Sequence, residues 1–305
     1  MSVVVLSGGV GGARFVRGLT EVVDDLTVVG NVGDDVEVLG MYVSPDLDSV
    51  LYALADLNDT ERGWGRADES WRALETVADL GGESWFRLGD RDLGVHLVRT
   101  AALRDGATLS AVTARFARAF GIRATVLPAT DQRLRTWIAT PAGEFSFQEW
   151  FVARGHNDEV DGLRFEGIEQ AEPAPGVLDA IERAELLLIA PSNPYVSIAP
   201  ILAVRAIRDA FERRRVPCIA VSPLIGGRAV KGPADRMLAR LAGGTEPRHV
   251  ASCYEGLIDS LVVDEADAQA LDGLGAVRPV VTRTLMSDVA ASRRLAAAVL
   301  GAVPA

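Results

Sequence analysis

Val3-Val4-Val5-Leu6, then Ser7-Gly8-Gly9-Val10-Gly11-Gly12, then Ala13-Arg14-Phe15-Val16-Arg17-Gly18-Leu19 open the chain. The first four residues are a continuous β-branched and apolar run, the composition of a strand buried on both faces. The glycines form a turn at its end, and Ala13 to Leu19 has the composition of a helix. A second apolar run, Leu26 to Val29, ends in Gly30-Asn31-Val32-Gly33-Asp34-Asp35. Strand, helix, strand in that order is a βαβ unit with a right-handed crossover. The pattern returns late in the chain, with strands at Leu186–Ala190, Pro217–Val221, Ser260–Val263 and Val277–Val281. Helices follow at Ile198–Phe211, Lys231–Leu241 and Ser287–Leu300. Alternating strands and helices predict an α/β fold: a Rossmann-like, mostly parallel sheet with helices on both faces. One domain spans 1–305, with a helical/β subdomain inserted at 58–175.

The middle of the chain supports that insertion. Asp48 to Ala55 reads as a helix whose entry is set by Pro45, and Ser70 is placed to cap a helix carrying Trp71, Leu74 and Val77. Asp92 to Leu103 and Ser110 to Phe120 show apolar spacing of three and four. Short strands are expected at Ala124–Leu127, Arg135–Ala139 and Phe145–Val152, and Gly155 to Pro175 as an edge or a lid.

Composition narrows the function. The 305 residues carry 31 basic and 42 acidic side chains, a net charge of −11, which argues against a nucleic-acid-coating surface. Lys231 is the single lysine; all other basic side chains, histidine apart, are arginines. Cys218 and Cys253 are far apart and His96, His156 and His249 are scattered, so neither a disulfide framework nor a histidine-based metal site is indicated. No apolar stretch reaches membrane-spanning length and no leader peptide is visible, so a cytoplasmic protein with no membrane partner is expected.

The polar residues gather at predicted strand ends, where open α/β sheets bind ligands. Gly8, Gly9, Gly11 and Gly12 leave backbone N–H groups free to approach a phosphate at a helix N-terminus. The loop fails both common patterns: Arg14 stands where a dinucleotide fingerprint needs glycine, and Ala13-Arg14 where a P-loop needs Gly-Lys. A tight packing turn is the alternative. The second strand end offers Asn31, and Pro45-Asp46-Leu47-Asp48 follows closely. Asp46 and Asp48 are candidate Mg²⁺ ligands and catalytic residues, since Mg²⁺ takes one or two carboxylates beside substrate phosphates; the alternative for either is a helix cap. Pro191-Ser192-Asn193-Pro194 and Ser222-Pro223-Leu224-Ile225-Gly226-Gly227 mark two further strand ends. Ser192, Asn193, Ser222 and Gly226 are candidate phosphate- or nucleotide-binding residues, with Lys231 as a compact positive charge.

These motifs, with Leu88-Gly89-Asp90-Arg91-Asp92, occur in an order that resembles the 2-phospho-L-lactate transferase family of coenzyme F-420 biosynthesis. Arg62-Gly63-Trp64-Gly65 and Gln148-Glu149-Trp150 are similar to its bacterial phosphoenolpyruvate transferase branch. The resemblance implies transfer of an enolpyruvyl- or lactyl-bearing phosphoryl group from a guanosine diphosphate conjugate to a deazaflavin hydroxyl, with release of GMP. It also implies Mg²⁺ dependence, a homodimer, and acceptor binding by Asp48 and Arg91. No histidine base is expected. Two other readings stand beside it: a non-catalytic nucleotide-sugar-binding regulator on the same scaffold, and a nicotinamide dehydrogenase, against which the failed dinucleotide pattern counts.

Overall fold

The computed structural model describes residues 1–303. Seven strands form the main sheet: β1 (Ser2–Ser7), β2 (Asp25–Gly30), β3 (Thr125–Pro128), β4 (Leu186–Ile189), β5 (Cys218–Val221), β6 (Ser260–Asp264) and β7 (Arg278–Thr282). They lie in the order β7-β6-β5-β4-β1-β2-β3, and every pair is parallel. Read from the other edge the order is 3-2-1-4-5-6-7, that of a doubly wound dinucleotide-type sheet extended by one strand. The sheet is thus wholly parallel rather than mostly so. Its central strands are buried along their length, as their uninterrupted Val, Leu and Ile runs require.

Helices cover both faces. On one face, helix α1 (Gly9–Leu19), helix α2 (Pro45–Leu54) and the closing helix Val289–Gly301 bury Phe15, Leu51 and Leu295. On the other, Ile207, Phe211, Leu238 and Val250 pack over the sheet. Helix α1 and the closing helix pack in close contact. A Cβ on Gly18 would lie 2.4 Å from the backbone carbonyl of Ser292. Gly18→Val should therefore force the helices apart and cost about 1–3 kcal/mol, read as a lower urea midpoint; an unchanged midpoint would refute this packing.

Several boundaries differ from the sequence expectation. Helix α1 begins at Gly9, so the glycine run is its first turn and not a loop before it. Helix α2 begins at Pro45, which places Asp46 and Asp48 inside the first turn; Ser44 holds the cap position. Asp90, not Ser70, caps the helix Arg72–Asp79: its carboxylate accepts from the N–H groups of Arg72 and Ala73, while the Ser70 hydroxyl donates to it. The strand expected over Phe145–Val152 ends at Ser146, and the chain winds into a π-helical turn, Glu149–Ala153, that buries Trp150. The helix expected over Ile198–Phe211 is broken at Val204, whose backbone is extended. The Lys231 helix starts only at Ala234, because Gly232 has φ +75° and Pro233 follows.

Within 58–175 the chain does two things. Thr125–Pro128 joins the main sheet as its edge strand β3. Gly143–Ser146, Arg135–Thr140 and Gly162–Glu166 form a separate antiparallel sheet of three strands. Between them and the ends of β1 and β4 lies the principal cavity.

Candidate active site

The cavity has a volume of about 780 Å³ and opens where the strand order reverses, between β1 and β4. The first turn of α1 forms part of its wall, and its cap residue, Gly8, has no side chain to bond the helix N–H groups. Gly8, Gly9 and Gly11 border the space. The reason for glycine is close approach. A Cβ on Gly8 would meet Asp46 Oδ2 at 2.5 Å, and one on Gly11 the Pro191 carbonyl oxygen at 2.8 Å. Uncapped N–H groups and the helix dipole make this end of α1 attractive to an anion.

A first polar group faces the helix end. Asp34 and Asp46 border the cavity, and both are buried. The Asn31 amide joins them, donating to Asp46 Oδ2 at 2.9 Å and to Asp34 Oδ1 at 3.4 Å, while its carbonyl accepts from Gly33 N–H. Gln148 Nε2 donates to the Asp34 backbone carbonyl at 2.9 Å. Burial raises the Asp46 carboxyl to about 6. Burial, and then the charges of Asp46 and Asp35, hold Asp34 well above the carboxylate range. Arg135 offsets only part of this, and two buried carboxylates side by side favour a cation or a shared proton.

A second polar group is built on α2 and on helix α3 (Asp90–Arg104). Asp48 forms a bidentate ion pair with Arg99, with Nη1 to Oδ2 at 3.0 Å, and both side chains are buried. His96 lies between two carboxylates: Nδ1 is 3.7 Å from Asp48 Oδ2 and Nε2 is 3.4 Å from Asp92 Oδ1. The Tyr52 hydroxyl donates to Asp92 Oδ1 at 2.5 Å. Asp48, Tyr52, Asp92 and His96 all border the cavity.

The mouth is aromatic and basic. Trp64, Trp85, Phe86 and Phe151 border it, as do Arg14 and Arg87. The Arg87 guanidinium lies 4.5 Å from the Trp71 ring centroid, and Arg62 stands between Trp64 and Trp71 at 4.8 and 5.1 Å. Lys231 reaches across this mouth, with Nζ 3.5 Å from the Arg62 carbonyl oxygen.

The residues expected from sequence divide accordingly. Gly8, Gly9, Gly11, Asp46, Asp48, Ser192, Asn193, Ser222 and Lys231 border one cavity. Ser192 is tied to the glycine turn: its hydroxyl donates to the Gly8 carbonyl at 2.7 Å and accepts from the Gly8 N–H. Asn193 caps the turn after β4, accepting from Tyr195 N–H, and Ser222 accepts from Leu224 N–H. Gly12 lies behind the cavity wall, where a Cβ would meet the Ser7 and Ser192 hydroxyls at 2.5 Å. Asn31 organises the carboxylates from behind. Gly226 lies away from the cavity, its N–H bound to Asp267. Arg91 points to solvent from α3, and Arg87, four residues earlier, occupies the wall in its place.

The pattern of the family described as 2-phospho-L-lactate transferase CofD matches residues 3–284. The chain belongs to the CofD family. It is 42% identical over 306 residues to a Streptomyces griseus protein named phosphoenolpyruvate transferase, covering 97% of this chain and 96% of that one. It is 37% identical over 303 residues to a Methanosarcina acetivorans protein named 2-phospho-L-lactate transferase, covering 98% of each. A crystal structure of a UPF0052 family protein from Bacillus halodurans superposes with a TM-score of 0.66 at 17% identity, covering 98% of each chain, and shows the shared fold. As a CofD family member the chain is a transferase of the phosphoenolpyruvate and 2-phospholactate type.

Sequence reasoning missed Tyr52, Arg87, Asp92, His96 and Arg99, and expected no histidine at the site. A signal was present. Asp92, His96 and Arg99 stand at i, i+4 and i+7, which is one face of a helix.

Proposed function

We propose that this CofD family member moves a phosphoenolpyruvyl group from a guanosine diphosphate conjugate to the ribityl hydroxyl of a deazaflavin, releasing GMP. The observation that carries the reading is the meeting, in one cavity at the sheet's switch point, of an uncapped helix N-terminus with a pair of buried carboxylates. An in-line transfer from a diphosphate needs charge neutralisation at phosphate and orientation of one hydroxyl. The α1 N–H groups and Lys231 serve the first need, and the aromatic mouth with Arg87 suits a flat acceptor ring. Higher identity to a relative named phosphoenolpyruvate transferase than to one named 2-phospho-L-lactate transferase favours the enolpyruvyl donor over the lactyl one.

Mg²⁺ belongs to this reading. No cluster of three or more metal-ligating side chains occurs among the described residues. Mg²⁺ does not require one, since it takes one or two carboxylates and completes its shell with phosphate oxygens and water. Asp46 and Asp34 fit that requirement: both face the cavity beside the glycine turn, neither forms an ion pair among the described residues, and burial raises both. Asp48 fits it poorly, because Arg99 occupies both of its oxygens. Bound there, Mg²⁺ supplies positive charge to the diphosphate oxygens. A homodimer is part of the same proposal and is measured by light scattering.

The direct test incubates the chain with deazaflavin, synthetic enolpyruvyl-diphospho-guanosine and Mg²⁺, and follows GMP and the mass of the deazaflavin product. Binding of both ligands without either product would leave a non-catalytic binder and overturn the transferase reading. Arg87→Ala should raise the acceptor KM about tenfold through loss of a cation at the ring slot. Arg91→Ala should leave it within twofold, and the reverse outcome would restore the role first expected of Arg91.

A further inference from the structure

We propose that Asp92 is the group that takes the proton of the attacking acceptor hydroxyl, and that Tyr52 and His96 are positioning residues that aim it. The proposal rests on the transferase reading above and supplies the base it lacks.

Four carboxylates border the cavity: Asp34, Asp46, Asp48 and Asp92. Asp48 is committed to Arg99 through both oxygens. Asp34 and Asp46 lie together under the Asn31 amide, where a cation is wanted. Asp92 differs from all three. Its Oδ1 accepts the Tyr52 hydroxyl and faces His96 Nε2, while its Oδ2 accepts no hydrogen bond and its side chain is only partly buried, on the cavity border. One oxygen is anchored and the other is open to a ligand.

The anchors have fixed senses. Arg99 Nη1 lies 3.2 Å from His96 Nδ1, and a guanidinium can only donate, so Nδ1 accepts and the ring proton sits on Nε2. That N–H faces Asp92. Burial, then the charges of Asp48 and Asp92, raise the Tyr52 phenol well above its usual value, so it stays a donor. Burial alone would raise the Asp92 carboxyl, but the neighbouring His96 ring, then the Tyr52 hydroxyl and Arg99, outweigh it and hold Asp92 below its ordinary value.

The acceptor hydroxyl oxygen forms a bond to the phosphorus that bears the enolpyruvyl group. The bond from that phosphorus to the bridging oxygen breaks, and GMP departs with the electron pair. The hydroxyl proton passes to Asp92 Oδ2. A weakly basic carboxylate suffices where the transition state is loose and the proton moves late.

The test uses the full chain with Mg²⁺, donor and deazaflavin. Asp92→Asn should lower kcat by about 10²- to 10³-fold, the range for loss of a positioned base, with the deazaflavin Kd from its fluorescence within threefold of wild type. Asp92→Glu keeps the charge but moves it, and should lose about tenfold; it keeps the assignment testable if the amide variant folds poorly. Tyr52→Phe should lower kcat with little change in KM. His96→Gln, which retains an N–H donor, should keep more activity than His96→Leu. An active wild type with Asp92→Asn within threefold of it in kcat overturns the assignment of Asp92 alone. Equal activity of His96→Gln and His96→Leu overturns the positioning role. A wild-type chain that releases no GMP overturns the transferase reading itself.

Discussion

Asp46→Asn is expected to slow transfer about a thousandfold while making the metal-free protein more stable. The two effects have one cause. Asp46 is buried beside Asp34, and burial raises its carboxyl to about 6 against an ordinary 3.8. The amide keeps an oxygen to accept from Asn31 Nδ2, so the local hydrogen bond survives. It removes a charge that the fold holds at a cost. It also removes half of the proposed Mg²⁺ site, and a thousandfold is about 4 kcal/mol of transition-state stabilisation.

The sign of the pH dependence follows from the direction of the shift. A carboxyl whose folded pKa lies above its unfolded value binds protons more readily in the folded state. Its stabilising contribution is complete below about pH 4 and is lost as pH rises to about 6. In EDTA the wild type should therefore lose on the order of 2 kcal/mol between pH 4 and 7 from this group, and Asp34 acts in the same direction. Asp46→Asn should lose less. Millimolar Mg²⁺ should raise the wild-type urea midpoint at pH 7.5 and leave the variant nearly unmoved. Equal pH slopes for the two proteins in EDTA would contradict the placement of Asp46.

The strand ends were legible because a wholly parallel sheet leaves a plain record: each central strand is an apolar run, and each run stops at glycine, proline or a short polar residue. Asp46 stood out for the same reason, two residues inside a proline-started helix. The group on α3 was hidden by a competing pattern. Asp92 to Leu103 contains enough apolar residues to read as an amphipathic helix, yet Leu97 and Val98 face solvent while His96 and Arg99 are buried. Ion pairing let a polar stripe occupy the inward face, and a periodicity that counts only apolar residues takes the wrong face. Arg91 lies off the cavity wall for a related reason. Its motif neighbours Asp90 and Asp92 are both engaged, but each helix residue is rotated by about 100° from the one before it, and Arg91 is on the outward side. The Lys231 helix was read too early because Gly232 and Pro233 interrupt it only through backbone angles.

Arg99→Met should cost about 3–5 kcal/mol of folding stability, the penalty for removing one partner of a buried ion pair. Methionine keeps a flexible apolar stem in the space the arginine fills. What is lost is the fork that holds both Asp48 oxygens and the N–H that His96 Nδ1 accepts. Asp48 is then a carboxylate at 4% exposure that has lost its ion pair. The penalty belongs to the orphaned charge rather than to the pair. The double variant Arg99→Met/Asp48→Asn should therefore be more stable than Arg99→Met alone, by at least 2 kcal/mol on the same scale. Thermal unfolding of the single variant should fall by roughly 6–15 °C. A fall of under 2 °C, or a double variant no more stable than the single, would mean that Asp48 is solvated or paired elsewhere. In that case both of its oxygens are available to the cavity, and the metal role first expected of Asp48 regains its physical basis.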